Sequence, residues 1–157
     1  MSAPRAVLEG AFLFRLQVDV GGAHAFGTTP LGGRRLAVVA GGGFEGPKLK
    51  GTVATGGTDW IRIRTDGVRQ LDVRLALRTH DGCMIAMRYE GYRLASAETL
   101  AVERTGADLP AADHWYRVAA FFEAADERYD WLNRVVAVGL GTRVPPAGPV
   151  YDFFDVR

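Results

Sequence analysis

An aspartate set between a glycine pair and a tryptophan, Gly56-Gly57-Thr58-Asp59-Trp60, is the spacing in this chain that most readily supports chemistry. A carboxylate held against a large apolar ring loses hydration, its pKa rises, and it can carry a proton near neutral pH. On that reading Asp59 is a general acid or base at a pocket rim and Trp60 shapes the pocket. The ordinary reading is that Asp59 closes an Asx-type turn and Trp60 fills a core. Asp72 and Arg74 stand two apart on a strand pattern, so they share a face; there Arg74 could hold a substrate oxyanion and Asp72 a polar group. Gln70 and Arg78 lie on the same face, and a solvated outer stripe explains all four most simply. Tyr116, Trp131, Asn133 and Tyr151 supply aromatic surface with polar tips, suited to gripping a ring and orienting one oxygen, though such residues are also common core packing. Residues 129–133 are the candidate wall or lid.

Other chemistries lack a pattern. His24, His80 and His114 have no partner at ligand spacing and no cysteine pair beside them, so no metal site is expected. Cys83, the single cysteine, follows an Asp-Gly turn on an apolar strand face, where a thiol is normally inert. The glycine runs at 21–22 and 41–43 do not lead into a phosphate-binding helix, so no nucleotide cofactor is expected, nor any other.

The elements that position these residues read as strands. Residues 12–19 alternate, with Phe12, Phe14, Leu16 and Val18 on the expected core side; a glycine-rich connection is expected at 21–33, then apolar segments at 36–40 and 49–55. Strands at 60–64, 68–79 and 83–94 are separated by Asp66-Gly67 and Asp81-Gly82, the signature of a meander. Within it Leu71, Val73, Leu75 and Leu77, then Cys83, Ile85, Met87 and Tyr89, form the expected core faces. Ser96 as N-cap and Gly106 as stop bound a helix at 96–105. Strands follow at 115–123, 135–140 and 150–156, with a helical turn at 126–132 and a break at Pro145-Pro146. Eight to ten strands with one short helix predict an all-β, antiparallel, up-and-down barrel formed by one domain over residues 1–157. A barrel of about eight strands either packs its interior or holds one small ligand.

Composition narrows the function classes. Twenty glycines suit turns and tight corners. Nineteen basic against eighteen acidic residues leave a net charge of +1, which gives no support to nucleic-acid or anionic-membrane binding. One cysteine and an N-terminus without a signal-peptide pattern make a cytoplasmic location the expectation, and no apolar run is long enough to span a bilayer.

The segments Gly43-Phe44-Glu45-Gly46-Pro47-Lys48-Leu49-Lys50-Gly51, Gly56-Gly57-Thr58-Asp59-Trp60, Asp66-Gly67, Leu71-Asp72-Val73-Arg74, Asp81-Gly82, Gly91-Tyr92-Arg93, Tyr116-Arg117, Phe122-Glu123 and 129–134 occur in an order and spacing that resemble the uncharacterised bacterial family known as domain of unknown function 3237 (UPF0311). The resemblance covers nearly the whole chain and implies a calycin- or lipocalin-like β-barrel with a shared pocket, but no established reaction. Residues 117–122 depart from it in lacking a proline.

Three functions compete. The first is a cofactor-independent isomerase, cyclase or lyase acting on a small organic substrate, with Asp59 as proton carrier, Arg74 as anion holder, and Trp60 and Tyr116 shaping the pocket. The second is a non-catalytic binding or carrier protein, and the third is an assembly domain with a filled barrel. A raised pKa at Asp59 beside a cavity favours the first, a wholly apolar cavity the second, a filled lumen the third. The expected partner is a small molecule, and a homo-oligomer is compatible with the sequence.

Overall fold

Alternation of apolar and polar side chains commits most of this chain to extended backbone, since only a period of two buries one face and solvates the other. The computed structural model describes residues 1–105, 114–144 and 146–157. Its strands are β1 (Gly10–Thr29), β2 (Gly32–Glu45), β3 (Lys50–Val53), β4 (Thr58–Ile63), β5 (Arg69–Thr79), β6 (Met84–Ala95), β7 (His114–Ala124), β8 (Ala137–Arg143) and β9 (Val150–Val156). Helix α1 (Ala97–Arg104) follows β6, and a 3₁₀ segment (Glu127–Arg134) follows β7. All pairings are antiparallel. They run β1-β9-β8-β7-β6-β5, then through β3 and β4 to β2, and β2 returns to β1. β3 and β4 share one position, pairing with successive stretches of β2 and β5, so the ring has eight positions and is a closed up-and-down barrel.

Both Asp-Gly turns form as expected. Gly67 and Gly82 have φ of +84° and +89°, the left-handed conformation that follows a type I turn in tight hairpins. Asp66 accepts from the Val68 amide, and Asp81 accepts from Thr79 Oγ1, fixing each corner. α1 begins as the sequence predicts: Ser96 Oγ accepts from the Thr99 amide at 3.1 Å. Its expected stop, Gly106, lies outside the described residues, as does Pro145.

Two expectations change. Residues 21–33 are largely strand rather than connection. β1 continues to Thr29 and pairs with β2 to its first residue, with register shifts after Asp19, Val20 and Ala25 that let an exposed, glycine-rich segment follow the sheet. Phe12 lies outside the core, 45% exposed and edge-on to Phe154, while Leu13 is buried. A register shift against β9 between Phe12 and Phe14 inverts the alternation there, since one added residue turns each later side chain to the opposite face.

The lumen changes character along its length. At one end Phe14 meets Phe153, Phe44 and Phe122 at ring distances of 5.4, 5.6 and 6.0 Å, with Leu77, Ile85 and Met87 fully buried nearby. The 3₁₀ segment closes this packed end: Tyr129 and Leu132 are buried, and Tyr129 donates to Asp81 at 2.8 Å. At the other end the inward side chains become tyrosine, arginine and aspartate around open space. Among the described residues no helix is long and apolar enough to cross a membrane.

Candidate active site

The cavity follows from extending each core stripe toward this second end. On β5 the inward positions Leu77, Leu75, Val73 and Leu71 continue to Arg69, and on β6 Met87 and Tyr89 continue to Arg93. β4 contributes Asp59 and Ile61, β2 contributes Arg35, Ala37 and Val39, β7 Tyr116 and β9 Tyr151. Arg104 of α1 and residues 146–149 complete the mouth. The space is about 350 Å³ and opens at this mouth, room for one small organic molecule.

Asp59 is the carboxylate of this cavity among the described residues. Its Oδ1 accepts from the Asp72 amide at 3.3 Å, and its neighbours in the wall include Ile61, Leu71 and Val73. Burial among these groups raises its pKa to about 7; the Asp72 amide opposes that rise and the Asp72 charge adds to it. A carboxyl with this value exchanges a proton readily at neutral pH.

Opposite it sits a tyrosine cluster. Tyr151 donates to the Tyr116 hydroxyl at 2.8 Å, and the Tyr151 ring lies 5.1 Å from Tyr116 and 5.3 Å from Tyr89. Burial holds the Tyr89 and Tyr151 hydroxyls well above the usual phenol range, so both remain protonated donors. The Arg93 guanidinium, on a residue only 5% exposed, lies 5.3 Å from the Tyr116 ring centre.

The structure brings together Asp59, Tyr116 and Tyr151 of the residues expected to form a site, and separates the others. Arg74 is exposed on the outer face opposite Arg88, so it cannot hold an anion beside Asp59. Asp72 shares that outward parity, and its hydrogen bond to Asp59 comes from its backbone amide. Trp60 follows Asp59 on β4 and therefore points outward: it is 40% exposed, stacked on Phe26 at 5.8 Å with Arg34 over its ring. The 129–133 segment covers the packed end rather than the cavity. Trp131 there lies under Lys48 Nζ at 5.1 Å. Asn133 accepts from the Ala124 amide at 2.8 Å and donates to its carbonyl at 2.9 Å, a clasp between the 3₁₀ segment and β7. Asn133→Ala is expected to lower unfolding free energy by about 1–2 kcal/mol in urea titration, with ligand binding in the cavity unchanged. Cys83 is also at the packed end; burial raises its thiol pKa and Arg128 donates to its sulfur at 2.8 Å.

Arg35, Arg69 and Arg93 are site residues that the sequence reading did not place, and Tyr89 was placed on the core face without a role at the cavity. Their signal was the alternation itself, which runs unbroken from Leu71 back to Arg69 and from Tyr89 on to Arg93. The mouth likewise forms from residues 146–149 and α1 rather than from the 56–60 turn.

Comparison with known proteins agrees with this architecture. The model of a family described as protein of unknown function, DUF3237, matches residues 9–156. A UPF0311 protein of Rhodopseudomonas palustris is 26% identical over 136 residues, 87% of this chain and 89% of that protein. The crystal structure of a beta-barrel like protein from Acinetobacter baumannii superposes with a TM-score of 0.82 at 31% identity, over 99% of this chain and 100% of that one. The hydroalkoxylation enzyme phnH of Penicillium herquei is 28% identical over 128 residues, 82% of this chain and 70% of that protein.

Proposed function

This chain belongs to the DUF3237 family, and from that starting point we propose that its cavity is an active site for redox-neutral acid–base chemistry on a small organic substrate, with Asp59 as the proton carrier. The observation that carries this reading is Asp59 itself, a carboxyl with a pKa of about 7 facing a cavity of about 350 Å³. A carrier of apolar molecules has no use for such a group or for arginines in its wall, and a charge placed inside a barrel costs stability that a cavity for apolar ligands has no reason to bear.

The reaction class that fits is intramolecular addition of a hydroxyl across a carbon–carbon double bond, which is isomerisation with ring closure. The Asp59 carboxylate takes the hydroxyl proton as the carbon–oxygen bond forms, and the protonated acid returns that proton to the carbon at the far end of the former double bond. Atoms balance, and no electron acceptor or cofactor is consumed. The Tyr116 hydroxyl, which accepts from Tyr151, lines the cavity where its own O–H can hydrogen-bond negative charge that develops on the substrate. The name of the Penicillium relative, a hydroalkoxylation enzyme, supports this class.

Incubating the full chain with a panel of hydroxy-alkenes in D₂O tests the reading. The expected product is a cyclic ether, isomeric with the substrate and carrying one carbon-bound deuterium by mass spectrometry and NMR. Absence of turnover across the panel, together with equal product from buffer alone, would count against it.

A further inference from the structure

We propose that this cavity selects organic anions, a carboxylate or phenolate on a small aromatic body, and that Arg69 and Arg93 are the residues that hold the charged oxygen. The proposal rests on reading the cavity as a ligand site and names the ligand's class.

The barrel register carries it. Arg69 of β5 and Arg93 of β6 are direct cross-strand partners, and both point into the cavity. Cross-strand partners have Cβ atoms about 5 Å apart, so the two guanidiniums, which both stay protonated, converge on one stretch of the cavity wall. Arg35 and Arg104 add two more guanidiniums at the mouth, so four arginines face one carboxylate among the described lining residues. A guanidinium carries five N–H donors, so contact with one protein neighbour leaves donors for a ligand oxygen. An anion lodged between Arg69 and Arg93 can accept a charge-assisted hydrogen bond from each.

The rest of the lining sets the body of the ligand. Arg93 is also the cross-strand partner of Tyr116, whose ring it overlies, and the Tyr116, Tyr151 and Tyr89 rings meet edge to face. An aromatic body can pack against these rings and the apolar wall of Val39, Leu71 and Val73, while its charged oxygen points to the arginine pair. Rotating the ligand would put the anion against apolar wall, so the arrangement selects orientation as well as charge.

Titration calorimetry of the full chain with 2-naphthoate and its neutral isostere 2-naphthamide tests the proposal, with 4-nitrophenol as a second arm that reports phenolate capture by its absorbance. Naphthoate is expected to bind at least about tenfold more tightly than naphthamide. Bound 4-nitrophenol is expected to ionise at lower pH than the free compound. Arg69→Gln and Arg93→Gln should each remove most of both effects; Arg69 is only half-buried, so its variant serves if the Arg93 variant fails to fold. A carboxylate preference without the 4-nitrophenol shift restricts the anion to carboxylates, and the converse restricts it to phenolates. Equal affinity for the two naphthyl probes together with an unshifted 4-nitrophenol, binding of neither class, or full anion preference in both arginine variants would overturn it. The outcome is separable from the acid–base reading, because Asp59→Asn should lower turnover at least about a hundredfold while retaining the anion preference.

Discussion

Asp59→Asn is expected to lower kcat/KM for hydroxy-alkene cyclisation at least about a hundredfold, the usual contribution of a positioned general base. The parent enzyme should gain activity as pH rises through about 7 and then level off, because the ionised carboxylate is the form that accepts the substrate proton. The variant should lose this titration along with its rate. Folding stability gives the same residue a second and opposite signature. Below 3.8, the ordinary value, the carboxyl is protonated in both folded and unfolded chains, and it contributes no pH dependence. Between 3.8 and about 7 only the folded chain holds the proton, so stability falls as pH rises; above about 7 the full cost of the buried charge persists. Asp59→Asn should therefore match the parent in unfolding free energy near the acid end and exceed it at pH 8 by about 1–3 kcal/mol, a range reduced for the water contact this half-buried carboxylate keeps. Chemical denaturation at the two pH values measures the difference. A variant that is inactive and less stable at pH 8 would make Asp59 a structural residue instead.

Phe153→Ala should be the most damaging single truncation in the core. Phe153 is fully buried, 5.4 Å from the Phe14 ring, 5.7 Å from Tyr89 and 5.6 Å from Tyr151, so it joins the packed end of the lumen to the floor of the cavity. Its ring also fills space that glycine leaves free at position 139, where a Cβ would stand 2.5 Å from Phe153. Removing the ring from between fixed strands leaves a void that the barrel cannot collapse to fill. The expected loss is about 3–5 kcal/mol, with Tm falling by roughly 10 °C in calorimetry for a chain of this size. A loss under about 1 kcal/mol would mean that the barrel closes around the gap. Tyr151→Phe keeps the ring and removes one hydrogen bond, so it should cost far less stability.

The sequence made some parts of this molecule plain because their causes are local. The two Asp-Gly corners, the Ser96 cap and the apolar stripes from Leu71 to Leu77 and from Cys83 to Tyr89 each depend on residues within a few positions of one another, and each stands where expected. Asp59 was legible as a candidate from its type and its neighbours. Arg74 lies on the solvated outer stripe that was the simpler of its two readings, which removes it from the site, and Trp60 was misplaced because alternation separates neighbours: Asp59 turns inward, so Trp60 must turn outward. Phe12 was misplaced because its side is set by a register shift against β9, more than a hundred residues away.

What the sequence by itself determined is therefore the barrel: a period of two, turn chemistry and glycine placement are short-range properties, and a chain of such strands closes to remove its edges. Tertiary structure decided the site. Only the register of β4 to β7 sets Asp59 in one wall, Arg69 opposite Arg93, and Arg93 beside Tyr116. Only closure of the ring decides that the phenylalanine end is packed while the tyrosine and arginine end stays open. Those neighbours are distant in the chain, and their proximity comes from strand pairing, which short-range pattern does not specify.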